Sequence, residues 1–141
     1  MAKDIAERGV ERGQAGQSLA ELSIVLVLFL VVTFGIVDAG RLIFAYNAVS
    51  SSAREGVRYA SVRGSSSDLI ASGTDPTPDI KDYAKSKTVG VPVNVSVAWD
   101  DPTHSPGTAV AVTVQSTFTP VTPFLSRTIN LASSTKMVIS R

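Results

Sequence analysis

Hydrophobic and polar positions divide the chain into an apolar run, a helical stripe and an alternating C-terminal part. The run covers residues 22–37, which are 16 residues without a charge. As an α-helix it would rise roughly 24 Å, slightly less than the ~30 Å hydrocarbon core of a bilayer. Leu19 and Ala20 extend it on one side, and on the other Arg41 could snorkel while residues 42–46 stay apolar. The pattern therefore predicts one membrane span at about residues 19–40.

Two other interpretations of the apolar run stay open at this point. It could be the buried core helix of a soluble protein, or part of a cleaved secretory signal, because small residues at 37–39 lie near a possible cut. The length of the run, the mixed charge of the leader and the helical pattern beyond residue 39 favour a span. The positive-inside count mildly favours a cytoplasmic N-terminus.

The run continues into a second helical pattern of a different kind. No proline occurs between residues 18 and 62, so the two patterns predict one helix of some 45 residues, about 67 Å long. Small and apolar residues recur there at steps of three and four. They are Ala45, Val49, Ala53, Gly56 and Ala60. This stripe could cover the protein's own sheet, or it could pack against a helix of another subunit.

The C-terminal part changes to a period of two. After a loop-like segment at residues 64–78, a short helix is predicted at 79–87. Valines then alternate with polar or small residues at 91–98 and again at 109–118, and a weaker strand pattern follows at 128–139. Three sequential strands suggest an antiparallel meander with one apolar face to cover. The predicted fold class is α+β, a long N-terminal transmembrane helix packed on a small antiparallel sheet.

Composition and charge exclude several classes of function. Lys and Arg number 13 against 12 Asp and Glu, which argues against nucleic acid as a partner, and the absence of cysteine excludes disulfides and thiolate chemistry. Asp100, Asp101 and His104 could form a weak cation site, but a solvated turn is the favoured interpretation. His104 is the sole histidine, and no nucleophile-elbow pattern occurs. We expect no enzymatic activity, no metal and no cofactor.

Charged residues at the ends of the apolar run are the candidate functional residues. Glu21 stands at its threshold, where an ionisable group is costly and points to function. A cut after Gly16 would leave a free amine at Gln17, and Glu21 would become residue five of the cut chain. The amine of a staggered neighbouring subunit could then neutralise the Glu21 carboxylate. Asp38 and Arg41 are three apart and hence neighbours on a helix. They could form an ion pair at the membrane boundary or pair between subunits.

The motifs GQSLAE, FGIVDAGR and AREGVRYA, within residues 13–62, resemble the TadE-like family of minor pilins or pseudopilins. The glycine, the glutamate five places on and the apolar helix behind it are also similar to the class III signal of type IV pilins. By this resemblance Gly16 precedes the cut, Gln17 begins the mature chain and Glu21 is the assembly glutamate. Family leaders are often strongly basic, whereas this one balances its basic residues with acidic ones.

The resemblance implies a type IV pilin-like organisation and a place in the tight-adherence (Tad/Flp) pilus system. Residues 1–16 would be the leader, 17–62 the long helix and 63–141 an extracytoplasmic head. The protein would sit in the bacterial inner membrane, with its N-terminus in the cytoplasm. Its partners would be membrane lipid, a prepilin peptidase, other pilin subunits and the Tad assembly machinery. The alternative is an anchored periplasmic scaffold or binding module that is never cut.

Overall fold

The computed structural model describes the backbone of residues 2–63, 76–122 and 127–140, and the side chains within these ranges from residue 16 onward. Helix α1 covers Ala2–Arg63 and helix α2 covers Thr77–Ser86. Strands β1, β2 and β3 cover Asn94–Trp99, Ala109–Phe118 and Ile129–Val138. Most of the predicted loop at 64–78 lies outside the described residues, as do the side chains of most of the leader.

The chain forms two units, residues 1–39 and residues 40–141. The first unit is the N-terminal part of α1. The second is compact and contains the C-terminal part of α1, helix α2 and the sheet. The predicted amphipathic half of the long helix is therefore an integral part of the folded head.

The sheet is an antiparallel meander in the order β1-β2-β3. Val95 lies opposite Val114, and Val114 lies opposite Ser133, so β2 is the central strand. Alternate side chains of a strand point to opposite faces. Val110, Val112 and Val114 share one face of β2 and are fully buried, whereas the intervening residues face the other side and are more exposed.

Helix α1 covers the valine face of β2. All five residues of the predicted stripe, Ala45 through Ala60, are buried within the compact unit. Gly56 lies at the closest approach, because a Cβ built on it would be 3.1 Å from Ala84 Cβ in α2 and 3.1 Å from Val112 Cγ1 in β2. The stripe was predicted to cover the protein's own sheet or to pack against a helix of another subunit. Packing on the protein's own sheet accounts for the burial of these residues.

Helix α2 is fastened to α1 and to β1 by side chains. Ser52 is fully buried and its hydroxyl donates a hydrogen bond to the carbonyl oxygen of Ala84 at 2.7 Å. The rings of Tyr59 and Tyr83 stack with their centres 4.2 Å apart. At the other end of α2, the indole nitrogen of Trp99 donates to the hydroxyl of Thr77 at 3.1 Å.

The predicted α+β class, with a long apolar helix and a small antiparallel sheet, is confirmed. The second strand has the bounds that its alternation predicts. The first strand begins at Asn94 rather than at residue 91, because Pro92 has no N–H to donate to the ladder. The carbonyl oxygen of Pro92 instead accepts a hydrogen bond from the Ser116 hydroxyl at 2.8 Å.

Candidate membrane and assembly segment

The side chains of residues 16–37 are all exposed. Leu22, Ile24 and Phe29, for example, are each more than 60% exposed. The described helix from residue 16 contains a stretch long and apolar enough to cross a membrane, with a mean hydropathy of 2.6 and none of that stretch buried. A buried core helix would instead bring such residues into a core. The exposure therefore favours a membrane anchor over the core-helix interpretation.

Polar side chains inside the apolar run bond to their own helix. The Ser23 hydroxyl donates to the carbonyl oxygen of Leu19 at 2.7 Å, and the Thr33 hydroxyl donates to that of Phe29 at 2.8 Å. These bonds leave neither hydroxyl hydrogen unsatisfied in hydrocarbon, where a missing hydrogen bond costs several kcal/mol. Neither residue therefore disqualifies the run as a span.

Glu21 is brought together with Gln17 at the start of the run. The side-chain amide of Gln17 donates to a carboxylate oxygen of Glu21 at 3.4 Å, one helical turn away. This distance exceeds the usual 2.7–3.2 Å range for N–H···O bonds, so the contact is weak. Gly16 lies directly before Gln17, and outside its chain neighbours and the backbone of its own helix no described atom lies within 4 Å of the position that a Cβ would take.

Asp38 and Arg41 lie at the other end of the run. Asp38 is 17 residues beyond Glu21, which is roughly 25 Å along a helix, so these two carboxylates belong to separate places. Asp38 is buried at 9% exposure, whereas Arg41 is exposed. The guanidinium carbon of Arg41 lies 5.4 Å from the centre of the Phe118 ring, within cation–π range.

The polar cluster at residues 100–104 forms the connection between β1 and β2. The Asp101 carboxylate accepts hydrogen bonds from the backbone N–H and the hydroxyl of Thr103. These bonds lower the pKa of the Asp101 carboxyl, although partial desolvation opposes the shift. Asp100 pairs with Lys136 of β3 at 2.8 Å. Among the described side chains, no group of three His, Asp or Glu residues could hold a metal ion.

Sequence reasoning missed the aromatic side chains that accompany the cations. Phe118 lies under Arg41, and the Tyr59–Tyr83 stack carries Arg63 on one ring and Lys87 on the other, at 4.8 and 4.7 Å from the ring centres. Arg63 and Lys87 each lie four residues after the tyrosine that they contact. The other pairs join residues that are far apart in sequence. Only that i, i+4 spacing could have been found in the sequence.

The class defined by these features is a protein with one exposed, apolar helix that continues into a small α+β unit. Residues 16–58 match the model of a family described as TadE-like protein. The match confirms the resemblance over the segment that carries Gly16, Glu21, Asp38 and Arg41, and it associates the chain with the Tad pilus system. Comparison with curated proteins and with solved structures gave no match.

Proposed function

We propose that the protein is a minor pilin or pseudopilin, a structural or assembly subunit of a Tad pilus. Its apolar helix is inserted in the bacterial inner membrane with the N-terminus in the cytoplasm and the head outside it. The observation that carries this proposal is the exposed apolar run at residues 22–37, headed by Glu21 within the TadE-like match. A charge at that place needs a partner, and a filament of parallel helices supplies one from a neighbouring subunit.

Removal of the leader is the first step of the proposed route. A prepilin peptidase hydrolyses the peptide bond between Gly16 and Gln17, which leaves a free amine on Gln17. Glycine lowers the stability of a helix by about 1 kcal/mol relative to alanine, so the helix opens more easily at this position. The exposure of Gly16 and its empty surroundings are consistent with access by a protease.

The new amine then pairs with Glu21 of a subunit already assembled. An amine and a carboxylate are groups of opposite charge, so the two attract each other. At the edge of hydrocarbon the effective dielectric constant is low, so an amine and a carboxylate attract each other more strongly than in water. Within one chain Glu21 has only a weak contact with Gln17, so the amine of a neighbouring subunit would be a stronger partner for its carboxylate.

The mass of the mature protein tests the processing step. In a host with an active prepilin peptidase we expect a product that lacks residues 1–16, and Gly16→Ala should abolish this trimming. Gly13→Ala is the matched control, because it makes the same change in the same helix and should leave the product unchanged. A full-length product from the unaltered chain would instead favour the unprocessed scaffold.

The assembly role of Glu21 is tested by Glu21→Gln, which keeps the shape and removes the charge. We expect normal membrane insertion but loss of piliation, measured by fractionation and by electron microscopy. Glu55→Gln, a change of the same type in the compact part of α1, should leave piliation intact. Piliation that survives Glu21→Gln would remove the proposed contact.

The proposed role is structural and not catalytic. Its partners are other pilin subunits, the assembly machinery and the peptidase. The described hairpin supports this proposal, because Asp101 uses its carboxylate to hold the turn through Thr103 and Asp100 uses its own to bind Lys136. A micromolar affinity for calcium that is lost in Asp101→Ala would contradict it.

A further inference from the structure

The end of the compact unit next to Gly40 carries exposed apolar side chains on three separate segments. Phe44 of α1 is 58% exposed, Val89 in the turn after α2 is 78% exposed, and Val121 after β2 is 58% exposed. Among the described loop residues of the head, Val89 and Val121 are the large apolar side chains that are exposed. Exposed apolar patches of this kind mark contacts with a membrane or with another protein.

These three segments meet at one groove. It is lined from α1 by Arg41 and Phe44, from the turn after α2 by residues 90–92, and from the end of β2 by residues 116–119. Val89 adjoins the second group and Val121 follows the third by two residues. The strand register agrees with this grouping, because Phe118, the last residue of β2, lies opposite Ile129, the first residue of β3. The apolar side chains therefore belong to one end of the unit.

The same end carries positive charge. Arg41 is exposed beside Phe118, and Arg127 is exposed just before β3. At the opposite end the β1–β2 hairpin carries Asp100 and Asp101. Cations thus lie among apolar side chains at the end next to Gly40, whereas at the opposite end Asp100 is paired with Lys136 and Arg63 is exposed.

Along the chain, this end follows the apolar run directly. Arg41 comes only four residues after Val37, the last residue of the apolar run, which is roughly 6 Å of helix. Apolar side chains beside arginine or lysine suit the headgroup region, where the apolar part enters the acyl boundary and the cation meets lipid phosphate. Charge and connectivity both favour lipid over a protein partner.

We propose that Phe44, Val89 and Val121 form a membrane-contacting face of the head, with Arg41 and Arg127 directed to the phosphates of anionic phospholipids. The face holds the head against the bilayer before the subunit leaves it. This inference rests on the anchoring part of the proposed function, and it is independent of leader removal and of the Glu21 contact.

Quenching of a single tryptophan by brominated lipid tests this proposal on the full chain in vesicles. The native Trp99 is first replaced by Trp99→Phe, and one tryptophan is then introduced by Val89→Trp or by Val121→Trp. Val62→Trp is the matched control, since Val62 is equally exposed but lies at the far end of α1. Phe29→Trp reports whether the apolar run is inserted. Circular dichroism checks that each variant is folded.

We expect lipid brominated near the headgroup to quench the Val89→Trp and Val121→Trp variants and to leave Val62→Trp unquenched. Quenching should be stronger in vesicles with phosphatidylglycerol than in pure phosphatidylcholine, and Arg127→Glu should reduce that difference. The proposal would be overturned if the tryptophans at 89 and 121 were not quenched while Phe29→Trp was quenched by deeply brominated lipid. That result would still support the apolar run as a membrane anchor. Shielding from aqueous iodide without lipid quenching would indicate a protein partner and also overturn it. An unquenched Phe29→Trp would refute the anchor as well.

Discussion

Gly56 allows α1 to approach both α2 and β2, and its replacement gives a sharp prediction. In Gly56→Ala the new methyl group would lie 3.1 Å from Ala84 Cβ and 3.1 Å from Val112 Cγ1. Normal contacts between carbon atoms are near 3.5–4.0 Å. Ala84 has no rotamer to change, and Val112 is fully buried in the central strand, so α1 itself would have to move.

Two opposing terms set the size of the effect. Alanine is favoured over glycine inside a helix by about 1 kcal/mol, and overpacking a close-packed core costs about 1–3 kcal/mol. The net expectation for Gly56→Ala is a loss of about 1 kcal/mol in the free energy of unfolding. Gly40→Ala is the matched control, because no described atom outside the adjoining helix backbone lies within 4 Å of its Cβ position, and it should gain up to about 1 kcal/mol. The two variants should therefore differ by about 2 kcal/mol.

Urea unfolding of the detergent-solubilised chain measures this difference. Trp99 is the only tryptophan, packs against the core and bonds to Thr77 of α2, so its emission reports the compact unit. Adding Ala84→Gly to Gly56→Ala removes one of the two close contacts, and the pair should show a favourable coupling of about 0.5 kcal/mol or more. If Gly56→Ala stabilises the protein as much as Gly40→Ala does, the close approach does not exist and this reasoning is wrong.

Two further predictions concern polar groups of the head. Ser52→Ala removes the buried hydrogen bond to the Ala84 carbonyl oxygen and should lower the free energy of unfolding by about 1 kcal/mol in the same urea assay. The control Ser51→Ala changes an exposed serine and should have little effect. Equal effects of the two substitutions would contradict the prediction. Because the folded pKa of Asp101 is lowered, its stabilising contribution is present above about pH 4 and is lost as pH falls through the folded pKa. Asp101→Asn should therefore show a weaker loss of stability on acidification, and identical pH profiles would refute this.

The sequence predicted the elements because each has a strong local period. Alternating valines in β2 require a half-buried strand, and the same residues are the ones that the structure buries. The stripe from Ala45 to Ala60 predicted a packed helical face, but its partner could not be read locally. Contact between Gly56 and Val112 spans more than 50 residues, and no pattern within either segment specifies it.

The candidate site could be predicted only in part, for a similar reason. Glu21 stands out because a charge beside an apolar run is conspicuous in a sequence. Val121 does not stand out, because it lies in a proline-interrupted stretch that looks like an ordinary loop, and Phe118 does not stand out because it is simply the last residue of a predicted strand. Their place beside Arg41 and Phe44 depends on the antiparallel register of the sheet and on the position of α1 across it.

Side-chain size along α1 separates the exposed apolar part from the part that packs within the compact unit. Between residues 22 and 37 the helix carries mainly Leu, Ile, Val and Phe, all exposed, whose large apolar surface suits hydrocarbon. Between residues 45 and 60 its buried face consists of Ala, Ser, Gly and Val, which let the backbone approach another element closely. Enlarging the second set would push α1 away from the sheet, whereas exchanging large apolar residues within the first set would leave both hydropathy and packing almost unchanged. The two halves of one helix are therefore expected to differ in their tolerance to substitution, with residues 45–60 sensitive to volume and residues 22–37 sensitive only to charge.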